Sequence, residues 1–85
     1  MPNIVMYTSQ VCPYCTRAKA LLTRKGVAFE ERMIGLDPDG RQRLVELTGR
    51  RTVPQVVVDD EVLGGWDEIS ALDREGRLDP ILGLA

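Results

Sequence analysis

The chain has 85 residues, of which 44% are apolar and 28% charged, with a formal net charge of −2 at pH 7 and no histidine. That length holds one hydrophobic core and not two, so a single domain over residues 1–85 is expected. The mixed charge leaves no basic footprint for nucleic acid, and no apolar stretch approaches the roughly 20 residues of a membrane-spanning helix. Met1-Pro2-Asn3 does not lead into a long apolar run, so no secretory leader is expected. Two cysteines placed for chemistry rather than stapling point to a reducing, cytoplasmic setting.

In chain order, residues 4–7 read as a short buried strand, Ile4-Val5-Met6-Tyr7, followed by a loop over residues 8–11. A helix over residues 13–25 starts at Pro13 and turns the stripe Ala18, Leu21 and Leu22 inward, with Gly26 as its left-handed stop. Residues 27–34 read as a second strand with Val27, Phe29 and Met33 facing in, which completes a βαβ unit with a right-handed crossover. Asp37 caps a second helix opened by Pro38 and ended by Gly49, and Leu44, Val45 and Leu47 are expected to bury its inner face.

A β-branched third strand over residues 53–58 turns through Asp59-Asp60 into a fourth, Glu61-Val62-Leu63. Gly64-Gly65 breaks the chain before a helix over residues 67–75, with Ile69 and Leu72 inward, and Asp79-Pro80 starts a last turn carrying Ile81 and Leu82. This order implies an α/β fold, a four-stranded mixed sheet with helices on both faces. That is the thioredoxin fold.

Cys12-Pro13-Tyr14-Cys15 sits between the first strand and the first helix. Cys12 would lie at the helix mouth, near unpaired backbone N–H groups and the positive end of the dipole. That surrounding favours thiolate over thiol, and thiolate is the nucleophile. Cys15, one helical turn on, is within reach of the first sulfur. Zinc would need four ligands, and the chain supplies no second cysteine pair. A structural disulfide over so short a loop would constrain the unfolded chain little. Redox chemistry is the reading that remains, with no metal.

Tyr7-Thr8 before the cysteine pair, Thr52-Val53-Pro54, and Gly64-Gly65-Trp66-Asp67 together resemble a dithiol glutaredoxin of the small bacterial type. The resemblance covers nearly the whole chain, through Leu78-Asp79-Pro80. It implies glutathione-dependent thiol–disulfide exchange with Cys12 as nucleophile and Cys15 as resolving thiol. Glutathione would be a co-substrate rather than a bound cofactor, and its contacts would come from Tyr14, Arg41, Thr52, Val53, Pro54, Gly65, Trp66 and Asp67.

By family analogy the Val53–Pro54 bond is cis, leaving the Val53 backbone to pair with the cysteinyl backbone of glutathione. The N–H groups of Trp66 and Asp67 would receive the γ-glutamyl carboxylate, and the Asp67 carboxylate the γ-glutamyl ammonium or, alternatively, its own helix as N-cap. Arg41 would hold the glycine carboxylate, with Arg51 a weaker candidate. Two departures stand out: Ser9 occupies a position often held by lysine, and Trp66 replaces a smaller residue.

The partners implied are glutathione and glutathionylated or disulfide-bonded proteins, for a chain working as a monomer. Two alternatives are an electron donor reduced by thioredoxin reductase and a dimer holding an iron–sulfur cluster through Cys12 and glutathione. The glutathione constellation speaks against the first. Pro13 stiffens the site against the second.

Overall fold

The computed structural model describes residues 2–84. Its elements are β1 (Ile4–Thr8), α1 (Pro13–Arg24), β2 (Glu30–Met33), α2 (Pro38–Thr48), β3 (Gln55–Val58), β4 (Glu61–Gly64), α3 (Trp66–Arg74) and α4 (Leu78–Ile81). The strands form one sheet in the order β2-β1-β3-β4. β1 runs parallel to β2, whereas the β1/β3 and β3/β4 pairs are antiparallel. Asp59 and Asp60 carry positive φ values of 50° and 68°, the twist that a tight hairpin between β3 and β4 needs.

The alternation of side chains along the central strands assigns the helices to the two faces. Ile4 and Met6 of β1 and Val56 and Val58 of β3 pack with Ala18, Leu21 and Leu22 of α1, Ile69 of α3, and Leu78 and Leu82. Val5 and Tyr7 point the other way and pack with Leu44 of α2. This is the mixed sheet covered on both faces that the element order implied. Each fully buried leucine contributes about 1.5–3 kcal/mol relative to exposure, and the larger cluster lies on the α1/α3 face.

Several local expectations are corrected. Thr8 is the last residue of β1 rather than loop, wholly buried, with its hydroxyl donating to Glu31 Oε2 at 2.7 Å. β2 is shorter than residues 27–34 because it is an edge strand, paired only to β1. Val27 and Phe29 pack on the core from the loop before it, but Met33 is 58% exposed.

On α2 only Leu44 and Thr48 are buried, and Val45 and Leu47 lie open. At 3.6 residues per turn those two sit roughly 80° to either side of the Leu44–Thr48 line, so a helix touching the sheet along one narrow line leaves both outside. β3 begins at Gln55, so Val53 and Pro54 precede the strand. α3 begins one residue early, at Trp66, with Gly65 as its N-cap. Asp67 is therefore the second helical residue and not the cap. α4 likewise starts at Leu78, ahead of Asp79-Pro80, with Leu78 buried.

Candidate active site

Cys12 is the N-cap of α1, its backbone extended at φ −152°, with Pro13 as the first helical residue. The Cys15 N–H donates to Cys12 Sγ across 3.1 Å. No acidic residue stands in the first turn of α1. Negative charge on the Cys12 sulfur thus meets an aligned N–H and the positive helix end, and no carboxylate on that turn opposes it. Cys15 is 2% exposed, whereas Cys12 is only half-buried. The two are joined as a disulfide with their Cα atoms 5.1 Å apart.

Cys12 Sγ lies 3.8 Å from the carbonyl oxygen of Val53, although 41 residues separate them in sequence. The Val53–Pro54 bond is cis. The segment is fixed from below by Gln55, fully buried, whose Nε2 donates to the Thr52 carbonyl at 2.9 Å and the Thr52 hydroxyl at 3.3 Å.

Tyr14, Thr52, Val53, Pro54, Gly65, Trp66 and Asp67 line one open cleft of about 350 Å³. Tyr14 is half exposed, and the Arg17 guanidinium sits 5.3 Å from its ring centroid, which ties the ring to the next turn of α1. Gly65 forms the opposite wall: a Cβ there would stand 3.0 Å from the Pro54 carbonyl oxygen, so a side chain would push the walls apart. Trp66 both lines the cleft and packs on the main core, serving as wall and as cover for the helix start. The N–H groups of Trp66 and Asp67 occupy the first two positions of α3, where no intrahelical acceptor exists.

Arg41 is not in this cleft. It lines a neighbouring cavity of about 550 Å³ with Arg51, Leu36 and Val45. Its Nε donates to the Leu36 carbonyl at 3.0 Å and its Nη1 to the Arg51 carbonyl at 3.4 Å. The two arginines considered for an anion therefore share a site, joined to the cleft by the single step from Arg51 to Thr52.

The cleft holds two charged residues that the motifs did not single out, Arg50 and Glu68. Glu68 Oε1 accepts from the Gly65 N–H at 2.8 Å and from Arg50 Nη2 at 2.8 Å. The Gly65 N–H above all, and then the Arg50 charge, hold the Glu68 carboxyl below its ordinary range. Glu68 had a readable signal, since a glutamate three residues after an N-cap is the capping-box spacing. Arg50 had none beyond its place next to Gly49. Among the described residues, no group of three or more His, Cys, Asp or Glu side chains is placed to hold a metal ion.

The glutaredoxin family profile matches residues 4–63. The chain belongs to the glutaredoxin family. It is 48% identical over 82 residues to glutaredoxin 3 of Escherichia coli (strain K12), covering 96% of this chain and 99% of that one. It is 46% identical to a glutaredoxin of Pseudomonas aeruginosa over 96% of this chain and 98% of that protein.

Among solved structures, the fold matches a buckwheat glutaredoxin–glutathione complex at a TM-score of 0.85 and 30% identity, covering 99% of this chain and 83% of that one. It matches the solution structure of glutaredoxin from Brucella melitensis at 0.83 and 44% identity, covering 96% and 89%. This is a small glutaredoxin of the bacterial type, a thiol–disulfide oxidoreductase on the thioredoxin fold.

Proposed function

We propose that the chain reduces protein–glutathione mixed disulfides and protein disulfides, with glutathione as co-substrate and Cys12 and Cys15 as its reacting groups. The observation that carries this reading is the single cleft beside Cys12 in which Tyr14, Thr52–Pro54 and Gly65–Asp67 meet. The likeness to a glutaredoxin–glutathione complex supports it.

On a glutathionylated protein, the Cys12 thiolate attacks the glutathione sulfur. The protein thiolate leaves and takes a proton, and glutathione remains on Cys12. The thiolate of a second glutathione then attacks that sulfur, releasing oxidised glutathione and the Cys12 thiolate. A protein disulfide is opened by the same attack. Cys15, losing its proton, displaces the bound protein from Cys12 and closes the Cys12–Cys15 disulfide, which two glutathiones reduce. The division of labour agrees with the half-open Cys12 and the buried Cys15.

In this reading the glutathione backbone runs along Val53, the γ-glutamyl end lies at the start of α3, and the glycine carboxylate reaches across to Arg41. The Asp67 carboxylate is left to receive the γ-glutamyl ammonium, since the N-cap position belongs to Gly65, whose N–H is taken by Glu68. The chain works as a monomeric single domain in the cytoplasm, apart from membranes and nucleic acid. No helix among the described residues is long and apolar enough to cross a membrane.

The test is turnover of a glutathionylated peptide and of a protein disulfide, with glutathione plus glutathione reductase in one arm and thioredoxin reductase alone in the other. Glutathione is expected to sustain both reactions. Cys12→Ser should abolish both, and Cys15→Ser should keep deglutathionylation while losing most protein-disulfide reduction. Equal losses in the two variants, or turnover sustained by thioredoxin reductase alone, would overturn the mechanism.

A further inference from the structure

The cleft contains one guanidinium with unused hydrogen-bonding capacity. Arg50 donates from Nη2 to Glu68 at 2.8 Å, and among the described residues its Nε and Nη1 have no side-chain or backbone acceptor. An arginine has five donors in a fixed fork, so one contact leaves a second edge free for a carboxylate. Glu68 is itself held by the Gly65 N–H at 2.8 Å. The cap fixes the carboxylate and the carboxylate fixes the arginine, so Arg50 loses little side-chain freedom on meeting a ligand. Beside it, Asp67 is exposed, and its side chain makes no hydrogen bond among the described residues.

A cation held by its own counter-ion and a free carboxylate on one wall complement a zwitterion, the α-amino-acid head of a γ-glutamyl group. We propose that Arg50 binds the α-carboxylate of the γ-glutamyl residue of glutathione, together with the first N–H groups of α3, and that Glu68 positions it. The assignment rests on the glutathione reading above. The two carboxylates of the tripeptide then go to two different guanidinium sites, the γ-glutamyl one to Arg50 and the glycine one to the cavity of Arg41. Arginine rather than lysine matters here, because only the fork can serve Glu68 and the ligand at once.

The experiment compares two mixed-disulfide peptides in steady-state turnover by wild type, Arg50→Ala, Arg50→Lys and Glu68→Gln. One peptide carries glutathione. The other carries 4-aminobutyryl-cysteinyl-glycine, which keeps the ammonium and lacks only the α-carboxylate. Wild type should show the lower KM for the glutathione peptide. Arg50→Ala should raise that KM about tenfold, which is about 1.4 kcal/mol, and leave the other unchanged.

Arg50→Lys should recover only part of the loss. Glu68→Gln, which keeps an acceptor for the Gly65 N–H, should give a smaller rise confined to the same substrate. Unfolding midpoints of all variants separate a structural loss, which would raise both KM values alike. Equal rises for both substrates, no rise, or a wild type that does not distinguish the peptides would overturn the role of Arg50. A wild type that turns over neither peptide with glutathione would overturn the glutathione reading itself.

Discussion

Replacing Asp67 and Glu68 by alanine, one at a time, should separate ligand binding from helix capping. Glu68 accepts from the Gly65 N–H at 2.8 Å and pairs with Arg50, while its side chain remains 39% exposed. Losing the cap bond costs about 1 kcal/mol at this exposure. The exposed ion pair and the favourable place of a carboxylate in the first turn each add about 0.5 kcal/mol. Glu68→Ala should therefore lose about 2 kcal/mol, which is roughly 8–16 °C in the unfolding midpoint for a chain of this size.

Asp67 lies in the same first turn without a side-chain hydrogen bond among the described residues, so Asp67→Ala forfeits only the dipole contribution, about 0.5 kcal/mol. Urea unfolding of the oxidised proteins, with the slope checked for constancy, measures both. In turnover assays the order reverses: Asp67→Ala should raise the KM for glutathionylated peptide several-fold through loss of the ammonium contact. If Asp67→Ala proves as destabilising as Glu68→Ala, the capping assignment is wrong. If it leaves KM unchanged, Asp67 is a solvated first-turn charge.

Leu44→Ala should cost about 2–5 kcal/mol, because Leu44 is the one fully buried apolar side chain by which α2 meets the sheet. Hydrogen exchange along α2 should accelerate more than along α1, and uniform acceleration would contradict this local anchoring. Stability should fall at both ends of the pH range. The folded pKa of Glu68 is depressed, chiefly by the Gly65 N–H, and that of Glu31 by the Thr8 hydroxyl and then Lys19. Their contribution is present above the ordinary carboxyl value near 4.5 and is lost as pH falls through the depressed values. Lys25 is shifted up by Asp73 and Asp79, so its contribution is complete below 10.5 and is lost as pH rises through the raised value. Urea midpoints across pH measure both limbs, and an acid limb unchanged in Glu68→Gln would exclude Glu68 from it.

What could be read in the sequence was what depends on neighbours in the chain. Asp37 accepts from the Gly40 N–H at 2.9 Å, and Gly49 ends α2 at φ 75°, both as their residue types suggest. The cysteine pair spans one helical turn for the same reason. The errors fall where tertiary contact decides. Met33, Val45 and Leu47 are apolar at plausible spacings, but how much of an edge strand or a helix is covered depends on the width of what packs over it. Thr8 became strand because the parallel ladder to β2 runs on past Tyr7, with Thr8 opposite Met33.

The site shows the same division, and it explains why motifs so far apart along the chain act together. In the antiparallel β1/β3 ladder Tyr7 lies opposite Gln55. From that register β1 continues past Thr8 toward Cys12, while the chain preceding Gln55 runs back through Pro54 and Val53 along the same end of the sheet. The two segments must therefore meet, and the 3.8 Å approach of the Val53 carbonyl to Cys12 Sγ is the result. A register slipped by one residue would turn Gln55 to the opposite face and withdraw its hydrogen bonds to Thr52. The alternation of Ile4 and Met6 against Val5 and Tyr7, set by two cores on opposite faces, is what fixes that register. The placement of the backbone before Cys12 is thus a consequence of core packing, which is why the motif residues alone pointed to the cleft but carried no sign of Arg50 on its wall.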